Sequence, residues 1–164
     1  VGYLAARIPG TQTCLIDTAG TRAVLARTLG CDFAAPEGAS ADADVVIHAS
    51  ATETGLRTAL SLAGHEATVI EASWFGTRET RIGLGGAFHR KRLRLISSQV
   101  GGIPPLRAPR WTHRRRLETA LQLLEDPVLD VLISGETSFD AVAQDYAAIL
   151  DAPDTLCHRL RYDR

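Results

Sequence analysis

The chain has no methionine in 164 residues. A complete translation product of this size carries about three or four, one of them at its start. Val1 is therefore expected to lie downstream of the natural start. Lysine is almost as scarce. Lys91 stands alone among 18 basic residues, an imbalance that reads as codon composition and not as function. Cysteine occurs three times, at Cys14, Cys31 and Cys157. An odd, scattered set fits neither a disulfide framework nor a zinc knuckle, and a reducing cytoplasm is the default compartment. Aromatic residues make up only 5%. No apolar run approaches the roughly 18 residues of a membrane span, and no secretory signal opens the visible sequence.

What is present is an ordinary globular mixture, 45% apolar and 23% charged. The length is enough for one domain with a buried core. Charge is unevenly spread. Residues 1–77 and 117–164 are acidic, whereas residues 78–116 hold ten Arg and Lys91 against Glu79 alone. Such a segment can bind phosphates. The plainer reading is an edge strand and a helix with solvated basic faces, folded against acidic flanks. Arg90-Lys91-Arg92-Leu93-Arg94-Leu95 alternates as an exposed strand does. Phe88 and Trp111 alone could stack on bases there, so a nucleic-acid platform is poorly equipped.

Punctuation divides the chain into alternating elements. A short Ala-rich helix from Gly2 to Ile8 ends at Pro9-Gly10. Thr13 to Ile16 is β-prone and stops at Asp17. Thr21 can cap a helix to Leu29, and Gly30 stops it. Cys31 to Phe33 is a minimal strand, and 34–43 is a loop. Asp44 to Ala49 reads as a buried strand, and Glu53 to Ala63 as an amphipathic helix stopped by Gly64. Ala67 to Ala72 and Arg92 to Ser97 are further strands. Helices are expected over Thr112 to Leu124 and Phe139 to Leu150, with strands at Val131 to Ser134 and Leu156 to Tyr162. This alternation predicts an α/β fold of Rossmann type, with a doubly wound parallel sheet.

Ligands of such sheets bind at the carboxyl rim of the strands. Here the rim segments are Asp17-Thr18, His48-Ala49-Ser50, Ala72-Ser73-Trp74 and Ser97-Ser98-Gln99. Asp17 is the sharpest residue. A carboxylate at the end of the second strand can accept both hydrogen bonds of a ribose diol, about 20 residues beyond the first glycine of GxGxxG. If Gly2 is the third glycine, the first lies five positions before it and the spacing fits. An Asp at a strand end is also a common turn residue. Thr18 follows Asp17 where a 2′-phosphate would need a cation, so NAD is favoured over NADP. Arg22 can stack on adenine or reach the ribose. His48 ends a strand alone, where histidine is more often structural than catalytic. No Ser-His-Asp elbow, P-loop or metal spacing is visible, and no catalytic residue is assigned.

Three stretches look like the cofactor domain of zinc-containing medium-chain alcohol dehydrogenases. They are Val1-Gly2-Tyr3-Leu4-Ala5-Ala6-Arg7, Leu15-Ile16-Asp17, and 25–32. Residues 43–49 match that family's fourth strand. Phe88-His89-Arg90-Lys91-Arg92-Leu93 with Ile96-Ser97-Ser98-Gln99-Val100-Gly101 resembles a narrower subgroup, the one similar to 2-desacetyl-2-hydroxyethyl bacteriochlorophyllide dehydrogenase. Trp111 with the basic helix start, and Cys157-His158-Arg159, resemble it too.

The resemblance implies NAD(P)-dependent oxidation of a small-molecule alcohol, in a cytoplasmic protein that forms a homodimer at full length, with no membrane or nucleic-acid partner. By position, Val1 would back the nicotinamide and Gly2 would allow close helix packing near the pyrophosphate. Asp17 and Arg22 would hold the adenosine ribose. Ala49 and Ser50 would flank the cofactor, and Ser73 and Ser98 would lie near its nicotinamide end. The family's zinc and proton relay belong to an N-terminal domain, so no residue here is assigned to metal. On this reading 1–125 is a cofactor-binding domain lacking its first strand. Residues 126–164 return to the catalytic domain. The flanking strands would then leave backbone groups unpaired at about 1–3 kcal/mol each, so the fragment alone is expected to be marginal and inactive. Two other readings stay open: an S-adenosylmethionine-dependent methyltransferase, whose fold ends in an antiparallel hairpin, and a non-catalytic binding module using residues 78–116.

Overall fold

A computed structural model describes residues 1–162. In chain order the elements are α1 (Gly2–Ala6), β1 (Cys14–Ile16), α2 (Ala23–Thr28), β2 (Asp32–Ala34), β3 (Ala43–His48), α3 (Glu53–Leu62), β4 (Ala63–Glu71), β5 (Arg94–Ser97), α4 (His113–Leu123), β6 (Ile133–Ser138), α5 (Val142–Asp151) and β7 (Cys157–Arg161). The strands form a β1–β2 pair, a β3–β4–β5 sheet and a β6–β7 pair. The β3–β4, β4–β5 and β6–β7 pairings are all parallel. The architecture is α/β with parallel sheets, as the alternation predicts. Two compact units result: Val1–Leu15, Ala19–Phe33 and Thr112–Arg164 in the first, Ile16–Thr18 and Ala34–Trp111 in the second.

In the first unit, α1 sits tightly on its neighbours because residue 2 is glycine. A Cβ there would stand 2.8 Å from Leu15 Cδ2 and 3.1 Å from Cys31 Sγ. Tyr3, the buried residue of α1, donates its hydroxyl to Asp126 at 2.5 Å, and Arg7 pairs with the same carboxylate. The hydrogen bond from Tyr3 holds the Asp126 carboxyl below its usual range. Thr21 does not cap α2. It lies inside a 3-10 turn, Gly20–Arg22, that leads into α2 without a side-chain cap. Gly30 ends this helical segment in the left-handed region, φ +79°, which glycine adopts without a Cβ penalty. α4 begins as Thr112 Oγ1 accepts the Arg115 N–H at 3.1 Å. β6 starts and ends later than the pattern suggests. Residues Pro127–Leu132 coil into a 3-10 helix first, and Asp126 caps it by accepting from the Val128 N–H.

The second unit is organised around β4. Ala59, Leu60, Ala63, Ala67, Val69 and Leu93 form its core, flanked by Val46, Ile82, Phe88 and Leu95. β4 is the middle strand, so its inward residues are covered on both sides, and Val69 is fully buried. β3 is not the buried strand its composition suggests. It lies at the edge, with Val45 53% and Ile47 40% exposed. Gly64 does not stop α3 from outside. The chain passes straight from α3 into β4 at Ala63, and Gly64 lies within the strand. A Cβ there would meet Asp42 Oδ1 at 2.7 Å and the Asp42 backbone at 3.2 Å, so glycine leaves room for Asp42. The carboxyl end of α3 is held instead by Lys91. Its Nζ donates to the carbonyls of Ala63 at 2.6 Å and Ser61 at 3.1 Å. This cation satisfies orphan carbonyls and opposes the negative end of the helix dipole. β5, in the basic segment, is the other edge strand, but it starts only at Arg94: Arg90, Lys91 and Arg92, expected to alternate as a strand, instead end and turn out of a helical segment, Leu84–His89.

Candidate functional site

Parallel pairing aligns the last residues of three strands. His48 is in register with Glu71, and Glu71 with Ser97. Beyond them lie Ala49 and Ser50, Ser73, and Ser98. The rim of the second unit thus collects four of the expected site residues. Ser98 donates its N–H to the Glu71 carbonyl at 2.8 Å, continuing the sheet one residue past β5. Ser73 Oγ accepts the Ala51 N–H at 3.0 Å.

Two residues hold this rim together. His48 is 5% exposed. Its Nδ1 lies 2.6 Å from Glu71 Oε2, and its Nε2 lies 2.7 Å from Ser50 Oγ. Glu71 Oε1 accepts the Ser73 N–H at 2.8 Å. Ser50 Oγ is 2.9 Å from Thr52 Oγ1, which caps α3 by accepting the Gly55 N–H at 3.0 Å. The chain of contacts runs unbroken from the end of β4, through the end of β3, to the start of α3. Burial raises the Glu71 carboxyl. Hydrogen bonds from His48 and Ser73 outweigh that burial and hold the carboxyl below its ordinary value. It is therefore ionised at neutral pH and accepts only.

His48 is thus not a solitary strand-end histidine. Its partner Glu71 is the residue of this cluster that pattern reading missed. The available signal was that strands flanking one crossover helix end side by side when parallel, which places an acid beside the histidine.

Glycine 55 makes the cluster possible. A Cβ on it would lie 2.1 Å from Ser50 Oγ, 2.7 Å from His48 Nε2 and 2.9 Å from Thr52 Oγ1. Three polar atoms converge in the space a side chain would fill. The turn is tight enough that Ala51 sits in the left-handed region, φ 52°, where an L side chain costs roughly 1 kcal/mol. The Ala51 N–H bond to Ser73, and an Arg78 guanidinium bond to the Ala51 carbonyl at 3.3 Å, offset this cost. The His48 ring also faces Phe75, with centroids 6.1 Å apart.

Asp17 also belongs to the second unit. It follows β1 directly, is half-buried, and donates its N–H to the Ala34 carbonyl at 3.3 Å. Val1, Gly2 and Arg22 belong to the first unit. The Val1 carbonyl accepts from the Leu4 and Ala5 N–H groups at 3.0 Å, opening α1. Arg22 donates to the Pro153 carbonyl at 3.3 Å. It lines a cavity of about 240 Å³ with Thr21, Leu25, Val131, Asp154 and Leu156.

Other chemistry is sparse. Among the described residues no three His, Cys, Asp or Glu side chains converge as metal ligands, so the residues present do not fit a zinc centre. All three cysteines are free thiols. Burial pushes the thiols of Cys14 and Cys31 up, away from nucleophilic thiolate. No helix is long and apolar enough to cross a membrane among the described residues.

No family model and no curated protein matches the chain. Solved structures do. L-idonate 5-dehydrogenase from Escherichia coli K-12 is similar at TM-score 0.71 and 16% identity, over 92% of this chain and 42% of that one. An alcohol dehydrogenase from E. coli CFT073, solved with NADH, is similar at TM-score 0.69 and 14% identity, over 95% and 46%. A dehydrogenase from Sinorhizobium meliloti bound to NADP is similar at TM-score 0.66 and 20% identity, over 88% and 43%. The chain spans less than half the length of each. At these identities the likeness concerns architecture, and what it shows is that this chain has the parallel-sheet α/β fold of part of those dehydrogenases.

Proposed function

We propose that the chain is the nicotinamide-cofactor-binding part of an alcohol dehydrogenase-like oxidoreductase. The observation that carries this reading is the aligned carboxyl rim of β3, β4 and β5. It presents Ser50, Ser73 and Ser98 around the His48–Glu71 pair, where ligands of parallel sheets bind. Asp17, placed at a strand end, is suited to a ribose diol. Gly2, packed against Leu15 and Cys31, fits the glycine that lets a helix approach its sheet closely. Val1 and Arg22 in the first unit, and Ala49 beside Ser50 in the second, are further proposed cofactor residues, each by its own position in the sequence. The cofactor, when bound, accepts hydride from a small alcohol. On this reading the chain contributes binding and orientation, and the metal and proton relay of the reaction belong to a part outside it, so that the chain alone is inactive. The motifs Phe88–Leu93 and Ile96–Gly101 support the subgroup similar to bacteriochlorophyllide dehydrogenase. NAD is favoured over NADP, since Asp17 is followed by Thr18 and repels a 2′-phosphate. A cytoplasmic homodimer at full length fits the same reading.

The methyltransferase reading is disfavoured by one observation. β6 and β7 are parallel, where that fold ends in an antiparallel hairpin.

The test is titration with NADH, NADPH and S-adenosylmethionine, followed by energy transfer from Trp74, which is exposed beside Ser73. NADH is expected to quench Trp emission and bind more tightly than NADPH, and Asp17→Ala to weaken NADH at least as much as NADPH. Binding of S-adenosylmethionine alone would overturn the assignment.

A further inference from the structure

The rim cluster has a direction. Ionised Glu71 can only accept, so the facing His48 nitrogen, Nδ1 at 2.6 Å, carries a proton. Ser73 Oγ, at 3.5 Å from that nitrogen, is too distant to compete and already accepts from Ala51. In a neutral imidazole the other nitrogen, Nε2, is then an acceptor. Its partner at 2.7 Å is Ser50 Oγ, so the Ser50 hydroxyl proton points at His48. At the far end, Thr52 Oγ1 accepts the Gly55 N–H. Its own proton has Ser50 Oγ as partner, at 2.9 Å. Ser50 therefore spends its single proton on His48 and one lone pair on Thr52. One lone pair remains, on a residue that is exposed.

We infer that Glu71, acting through His48, makes Ser50 a hydrogen-bond acceptor toward the bound ligand, so that the ligand group recognised there is a donor, a hydroxyl or an amide N–H. Glu71 is a positioning residue. It selects the polarity of a contact it does not itself make. The inference rests on the cofactor reading only for the identity of the ligand. On that reading the donor is a ribose hydroxyl or the nicotinamide carboxamide. A serine that could donate as well would not separate these groups from a carbonyl or phosphate oxygen. A serine whose proton is committed does.

The experiment has a binding arm and a spectroscopic arm, both on the full 164-residue chain. Long-range nitrogen–proton correlation spectra of the wild type report the His48 tautomer directly. The expected result is a protonated Nδ1 and a bare Nε2. A ring protonated at Nε2, neutral or cationic, overturns the inference, since Nε2 would then donate to Ser50, and this readout needs no variant to fold. In Glu71→Gln the amide can donate to Nδ1, and the ring is expected to switch tautomer. NADH affinity should then fall about tenfold, the scale of one reversed hydrogen bond. Ser50→Ala should lose a similar factor. The double variant should be no weaker than Ser50→Ala alone, because both changes act on one contact. Additive losses, or Glu71→Gln binding within about twofold of wild type, overturn the inference. The analogue 3-acetylpyridine adenine dinucleotide lacks the amide N–H. If it binds Ser50→Ala and wild type equally, the donor is the amide; if it keeps the difference, the donor is a hydroxyl. Failure of the wild type to bind NADH sinks the cofactor reading alone, and the tautomer still decides the polarity of Ser50.

Discussion

Glu71 Oε2 lies 2.6 Å from His48 Nδ1, across two adjacent parallel strands and 23 residues of sequence. The pair is well covered, with side chains 4% and 17% exposed. Removing one partner strands the other. Glu71→Ala leaves a buried imidazole N–H and the Ser73 N–H without their acceptor. A loss of about 1–3 kcal/mol is expected for such groups, read as a lowered midpoint in urea unfolding. No change in midpoint would mean that water or another group replaces the carboxylate at no cost.

The same pair makes stability depend on acid. The folded Glu71 carboxyl titrates below its ordinary value, burial being outweighed by the bonds from His48 and Ser73. A depressed folded value means that the contribution is complete above the ordinary Glu range, about pH 4.3. It is lost as pH falls from there through the folded value. Wild-type stability minus that of Glu71→Gln should therefore shrink as pH falls below about 4.3. A difference that grows on acidification would contradict this sign.

Helix α3 is held at both ends by side chains. At its start, Thr52 accepts the Gly55 N–H and also contacts Ser50. Thr112 makes the matching bond at α4, to Arg115. Removing an N-cap hydroxyl costs about 1 kcal/mol. Thr52→Ala is expected to cost more than Thr112→Ala, because it also removes a partner of Ser50. Hydrogen exchange at Gly55 should accelerate in the first variant alone.

At the other end of α3, Lys91 Nζ reaches the Ala63 and Ser61 carbonyls. Lys91→Met keeps the stem and removes the cation. A destabilisation of about 1–2 kcal/mol is expected, in the range for charged hydrogen bonds at a helix carboxyl end. Added salt should narrow the gap between wild type and variant, since screening weakens the attraction of the exposed portion. Equal melts at low salt would remove the capping role.

The elements were legible where local chemistry decides them. Thr112 heads α4, Gly30 closes the α2 segment, and the apolar spacing of Leu56, Ala59 and Leu60 marks the buried face of α3. Register was not. The crossover pattern of residues 43–71 brings the ends of β3 and β4 side by side, but it does not fix which residue faces His48, because the alignment of a parallel pair joined through a helix depends on packing. Ala63 shows the same limit. Composition separates helix, glycine stop and strand, whereas the chain passes from α3 into β4 at Ala63 with no intervening loop. Edge character is equally non-local. Val45 and Ile47 look like core residues, and their exposure depends on which strands lie alongside.

Gly55 sets two opposing effects against each other. It occupies the first turn of α3, where alanine would favour the helix by up to about 1 kcal/mol. Its Cβ would also stand 2.1 Å from Ser50 Oγ, 2.7 Å from His48 Nε2 and 2.9 Å from Thr52 Oγ1. Ser50 can swing away, but His48 is buried and held by Glu71, and Thr52 is fixed by its cap. Overpacking of this kind costs roughly 1–3 kcal/mol, and the displaced serine also gives up its bond to the imidazole. The clash should win, so Gly55→Ala is expected to destabilise despite its better propensity. Ser50→Gly in the Gly55→Ala background should recover part of the loss by clearing the nearest atom, while Ser50→Gly alone recovers nothing. Urea unfolding of the four proteins closes the cycle. A Gly55→Ala variant more stable than wild type would show that the cluster around His48 relaxes freely.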